Sequence, residues 1–256
     1  MHYELQKASM PKRIAALLID LILVAVIASG AAWMLTGVFG YDAYAGTVQD
    51  AYDRFGELHG VDLQLSMEEY NALPPEQQAK VDAGFADLND PQKNQAAIEA
   101  FQMMQQLILI NASLSVLLGI VVVEIVVPLM FKNGQTLGKK IFSLSVVRKD
   151  GIQINNIQLF TRSILGKYAV ETMIPVYAVL ALLFGIGIAI VILLAMLVII
   201  VQLACVMFSA NHCAIHDLMC GTVVVDHSSQ MIFKSTDDLI AYQKKVAAER
   251  ASRQPY

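Results

Sequence analysis

The stretch RIAALLID, Arg13 to Asp20, places a carboxylate inside an otherwise apolar run. Asp20 lies two helical turns beyond Arg13, so on a helix both point the same way, about 10 Å apart along the axis. A second carboxylate, Glu124, is the lone charge between Leu107 and Phe131. Counted from the span ends marked by Arg13 and Phe131, Asp20 and Glu124 reach a similar depth. An acid at the centre of a bilayer costs about 2.5–3.5 kcal/mol, and ionisable groups in spans mark ion or proton pathways by default. Pro128 cannot donate to the carbonyl of Glu124 four residues back. A freed carbonyl beside a carboxylate on a broken helix is a ligand set for a small cation or a proton. The structural alternative is that Asp20 pairs with Arg13 or Arg162 and pins helices together.

Other polar patterns carry less. His212, His216 and Cys220 recur at i, i+4 spacing in NHCAIHDLMC and are weak zinc candidates without an evident fourth ligand. GQTLGKK fails the phosphate-loop spacing, and its lysine is followed by lysine rather than Ser or Thr. It reads instead as a tight turn whose lysines, Lys139 among them, face lipid phosphates or a carboxylate such as Asp217. No nucleophile–base arrangement stands out, so neither an enzyme nor a cofactor is expected. Ser115 and Gly119 form a small-xxx-small pattern suited to close helix packing. The cysteines, Cys205, Cys213 and Cys220, are odd in number and lack framework spacing, which argues against structural disulfides.

The elements that must position these groups are membrane helices. The chain has 256 residues, is 56% hydrophobic and only 16% charged, against about 25% charged in a soluble domain. Its apolar residues clump into runs of about 20, enough to cross a hydrocarbon core of about 30 Å. No cleavable leader is visible, so the first run reads as a permanent span. The run Thr172–Asn211 has no charge and is long enough for two spans broken at Phe184–Gly187. The expected fold is all-α, with four transmembrane helices, a helical extracytoplasmic insertion and a small β element at the cytoplasmic face. SLSVVRKDGIQI gives a hairpin signal, and TVVVD is a third short strand.

The segment from Tyr41 to Phe101 is acidic, with basic residues only at Arg54, Lys80 and Lys93. The remaining basic residues flank the spans and place both termini in the cytoplasm. Ser66 with Glu69 reads as a capping box, and Asp90–Pro91 as the start of one long helix reaching Phe131. The divisions expected are 1–37, N-terminus and span 1; 38–100, the acidic insertion; 101–131, span 2; 132–167, a basic loop; 168–208, spans 3 and 4; and 209–256, a cytoplasmic segment.

RIAALLID, NGQTLGKKIFSLSVVRKDG, Arg162 and AIHDLMCGTVVVD together resemble the RDD family of membrane proteins. That family is named for one arginine and two aspartates, and the matching positions are Arg13, Asp20 and Asp217. The resemblance brackets almost the whole chain, except that the acidic insertion is untypical. It implies a small multi-span protein from a family in which transport, including cation/proton exchange, has been proposed for some members, and the expected function is a transporter or channel-like protein for a small ion or solute. On this reading Asp20 and Glu124 carry the ion or proton. Arg13, Arg162, Lys139 and Asp217 form an ion-pair cluster at the cytoplasmic face, where a swap of Arg13 and Asp217 would partly rescue either loss. The expected partners are the lipid bilayer of the cell membrane, a small cation or proton and a second copy of the chain, with no nucleic acid. The alternative is a non-transporting scaffold whose acidic outer domain binds a partner.

Overall fold

A computed structural model describes residues 5–131, 134–185 and 188–253. Four helices are long and apolar enough to cross a membrane. They are α1 (Met10–Val38), α5 (Pro91–Phe131), α7 (Asn156–Phe184) and α8 (Ile188–Phe208). Between them lie α2 (Tyr41–His59), α3 (Met67–Ala72), α4 (Pro75–Leu88) and α6 (Leu137–Ile141). After the spans come α9 (Ile215–Cys220) and α10 (Thr236–Arg253). The long apolar side chains of α1 and α8, such as Leu21, Ile22, Ile190 and Leu193, are exposed, as a lipid-facing surface requires. The break expected at Phe184–Gly187 begins at Gly185, which caps α7 with φ 68°; Ile186 and Gly187 lie outside the described residues.

The chain divides into two compact units, residues 1–31 with 113–256, and residues 32–112. These boundaries cut α1 and α5 partway rather than falling at their ends.

In the first unit a short sheet pairs β1 (Leu144–Arg148) antiparallel with β2 (Thr222–Asp226). The hairpin expected within SLSVVRKDGIQI is reduced to a single bridge, Val147 to Gln153. Its turn is present, with Gly151 at φ 83°, but the ladder forms with the distant TVVVD instead. Burial explains this choice. Val146, Val147, Val223 and Val225 are packed away almost completely on both sheet faces, which a two-stranded surface hairpin could not achieve. The N-terminal segment adds a bridge from Lys7 to Val225.

Helix α5 changes register where Pro128 removes a donor. Val122–Val126 is π-helical, and the Val127 N–H bonds the carbonyl of Val122 five residues back. In α7 the π-helical stretch is longer, Thr161–Thr172. Gly119 brings α5 against α1: a Cβ there would lie 2.8 Å from the Val24 carbonyl oxygen.

The second unit has its own core of Ala51, Phe55, Leu63, Val81, Leu88 and Ala97. Ser66 and Glu69 form the reciprocal capping box that starts α3. Helix α5 is broken once near its start, where Asn94 leaves helical geometry at φ −145°. Its side chain there donates to the Leu88 carbonyl at 2.8 Å and accepts from Arg54 at 3.0 Å.

Candidate functional site

Two buried, charge-balanced clusters lie in the first unit. The first is built around Asp20. The short helix α6 starts at Thr136, whose side chain accepts from the Lys139 N–H, and presents its first turn to α1. The Gly138 N–H donates to Asp20 Oδ1 at 2.9 Å, and the Thr136 hydroxyl donates to Oδ2 at 2.5 Å. Lys139 then reaches between two carboxylates: its Nζ is 3.6 Å from Asp20 Oδ2 and 3.7 Å from Glu124 Oε2. Glu124 also pairs through Oε1 with Lys167 of α7. All four groups are buried or nearly so, and the two carboxylates balance the two ammonium groups. Burial pushes the Lys139 amine down to about 8, although Glu124 and Asp20 pull it the other way. Glu124 Oε2 is buried and accepts no hydrogen bond.

The carbonyl freed by Pro128 is not open. The Ser163 hydroxyl donates to the Glu124 carbonyl at 3.0 Å. That backbone ligand expected for a cation is therefore already satisfied.

The approach of α6 to α1 depends on Gly138. A Cβ there would stand 2.2 Å from the Ala16 carbonyl oxygen and 2.9 Å from Asp20 Oδ1. The obstacle is backbone, which cannot swing aside. Overpacking typically costs about 1–3 kcal/mol. Gly138→Ala is therefore expected to cost stability at the upper end of that range, read as a lowered thermal midpoint in detergent, with Asp20 parted from the Gly138 N–H. A Gly138→Ala protein as stable as the parent would show that α6 is not held against α1.

The second cluster joins α1, α7 and α9. Arg162 is 1% exposed, and its Nε donates to Asp217 Oδ1 at 3.0 Å. Arg13 Nη2 lies 3.6 Å from Asp217 Oδ2. The Thr222 hydroxyl of β2 adds a bond to Asp217 Oδ1 at 3.0 Å. Burial would raise the Asp217 carboxyl, but Arg162 and Arg13, with the Thr222 hydroxyl, overcome it and hold the group well below the usual carboxylate range. His216 has one ring nitrogen 2.8 Å from Glu171 and the other 2.9 Å from Arg162 Nη2. Gly166 makes room for it, since a Cβ there would sit 2.4 Å from His216 Cβ.

Arg13, Arg162 and Asp217 thus meet. Lys139 does not join them; it faces Asp20 and Glu124 rather than Asp217. Nor does Asp20 pair with Arg13 or Arg162, because α6 supplies its donors first. The histidine–cysteine reading also fails geometrically. His212 precedes α9 with φ 52°, and its Nδ1 donates to the Val206 carbonyl at 2.9 Å, so it is not on the helical face of His216 and Cys220. Among the described residues no three His, Cys, Asp or Glu side chains come together to hold a metal. Sequence reasoning missed Lys167, Glu171, Thr136 and Ser163. The signal for two of them was there, in the charges that interrupt TRSILGKYAVET at the head of the third span.

A sequence model described as the RDD family matches residues 7–221. No curated protein and no solved structure matches.

Proposed function

The chain belongs to the RDD family of membrane proteins, and from that premise we propose that it carries a small cation across the membrane in exchange for protons. The carrying groups are Asp20 and Glu124. The observation that supports this is the position of Lys139, whose ammonium stands between two buried carboxylates at 3.6 and 3.7 Å. A monovalent cation placed there would meet the same two carboxylates. Exchange of that kind leaves the buried charge unchanged, which a low-dielectric site demands. The basic span flanks support a reading with both termini in the cytoplasm of a cell-membrane protein and residues 41–101 outside.

Asp20→Asn tests the reading. The amide keeps an oxygen for the Gly138 N–H and can donate to Thr136, so folding is expected to survive. The charge facing Lys139 is gone. In liposomes holding the pure protein and a pH dye, the parent is expected to move protons when sodium or potassium is added outside, and Asp20→Asn is expected to give no signal above empty vesicles. A parent without flux for any cation leaves the alternative, a scaffold whose carboxylate is only a pin between α1 and α6.

A further inference from the structure

His216 sits at the start of α9 and is 7% exposed. Its contacts fix its protonation state. The guanidinium of Arg162 has only donors. The ring nitrogen 2.9 Å from Arg162 Nη2, Nε2, must therefore offer a lone pair. The proton then sits on Nδ1, which lies 2.8 Å from both oxygens of Glu171. Glu171 also accepts from the His216 backbone N–H at 2.9 Å, so α7 grips this residue at two points. The imidazole is neutral, and it accepts from Arg162 beside the bond Arg162 makes to Asp217.

One acceptor nearby is unused. Asp217 Oδ2 is buried without a hydrogen bond, 3.6 Å from His216 Nε2 and 3.6 Å from Arg13. A proton added to Nε2 would turn that nitrogen into a donor. It could no longer face Arg162, and Asp217 Oδ2 is the acceptor within reach.

We propose that His216 is a proton-operated latch joining α1, α7 and α9: neutral, it holds Arg162 on Asp217; protonated, it takes Asp217 Oδ2 for itself and releases Arg162. The charged groups that face it among the described residues come from three helices. Arg162, Lys167 and Glu171 come from α7, Asp217 from α9 and Arg13 from α1. Helix α8 contributes the uncharged Gln202, which accepts from the Ile215 N–H at 3.0 Å. Arg13, Arg162, Asp217 and Glu171 balance in charge, so the added proton leaves an uncompensated buried positive charge and favours opening. Burial, with Arg162 and Lys167, holds the imidazole below its ordinary value, so the latch stays shut near neutrality and responds to acid. The latch does not require that Asp20 and Glu124 carry an ion, and its test does not read flux.

Cys213 is a built-in reporter. It is 1% exposed beside β2, and its Sγ points to the Thr222 carbonyl at 3.6 Å, next to the Thr222 hydroxyl that bonds Asp217. With Cys205 and Cys220 changed to serine, dithiodipyridine labelling of Cys213 is followed from about pH 8 down to about pH 5, across the ordinary histidine value near 6.5. Labelling is expected to accelerate several-fold more on acidification in the parent than in His216→Gln. Glu171→Gln, which removes the carboxylate that favours the imidazolium, is expected to move the acceleration to lower pH. Identical pH profiles in the parent and both variants overturn the proposal. Should His216→Gln be open or unfolded at every pH, the Glu171→Gln shift and the nitrogen-15 spectrum of the parent still decide: a proton on Nε2 of His216 at about pH 8, above the ordinary value, sinks the latch.

Discussion

Replacing Arg162 by methionine is expected to remove about 3–5 kcal/mol of stability, the cost of stranding one member of a buried ion pair. Both members are 1% exposed, and Arg162 Nε reaches Asp217 Oδ1 at 3.0 Å. Without Arg162, Asp217 keeps only the Thr222 hydroxyl at hydrogen-bond distance and Arg13 at 3.6 Å. His216 Nε2 would lose its donor in the same step. Asp217→Leu is expected to cost a similar amount, because Arg162 is then the stranded charge. The double variant Arg162→Met/Asp217→Leu is expected to fall short of the sum by about 1–3 kcal/mol, since neither charge remains to be orphaned. The measurement is a double-mutant cycle on thermal midpoints in one detergent. Strict additivity would mean that the pair contributes no coupling. The swap Arg13→Asp/Asp217→Arg, expected from sequence to rescue, is now expected to fail: Arg162 would face a second guanidinium.

The reason that swap looked sound shows where sequence reading stops. Arg13 and Asp217 stood out because each is a charge at the edge of an apolar run. Asp20 and Glu124 stood out as the only charges within such runs, and the four spans followed from the same clumping. Their partners did not stand out. Asp20 is satisfied by Thr136 and Gly138, more than a hundred residues away, and a turn motif carries no mark of the carboxylate it will bind. Lys167 and Glu171 sit where a basic loop was expected to end; in fact α7 begins at Asn156, and they point inward from its π-helical segment. Hydrophobic periodicity reports which helices exist. It does not report which polar side chains of those helices meet, because that depends on packing between segments distant in sequence. The sheet failed in the same way: KDG makes its turn as expected, but β1 pairs with TVVVD because that partner lets both faces be buried.

Glu124 is where the two kinds of information have to be combined. A lone acid within a span suggests that Glu124→Gln shifts the pH dependence of an activity rather than abolishing folding. The contacts argue otherwise. Glu124 Oε1 holds Lys167 and Oε2 faces Lys139 at 3.7 Å, so the amide would leave two buried ammonium groups with Asp20 alone. Glu124→Gln is therefore expected to lose about 3–5 kcal/mol near neutral pH. The deficit should shrink in alkali. The Lys139 amine already sits at about 8, and removing a carboxylate favours the neutral amine further. Between that folded-state value and the ordinary lysine value near 10.4, the unfolded chain binds more protons than the folded one, so stability rises with pH. Glu124→Gln is thus expected to lie further below the parent at about pH 7 than at about pH 9.5. Adding Lys167→Met restores the balance of one carboxylate against one ammonium, Asp20 with Lys139, and is expected to recover a large part of the loss at neutral pH. Thermal midpoints of the parent, Glu124→Gln and the double variant at both pH values decide it. If Glu124→Gln melts with the parent and Lys167→Met changes nothing, the lysines do not depend on this carboxylate. If the double variant recovers, the cluster is held by its charge count, and that is the property a carrier needs if one cation is to replace another at the same oxygens.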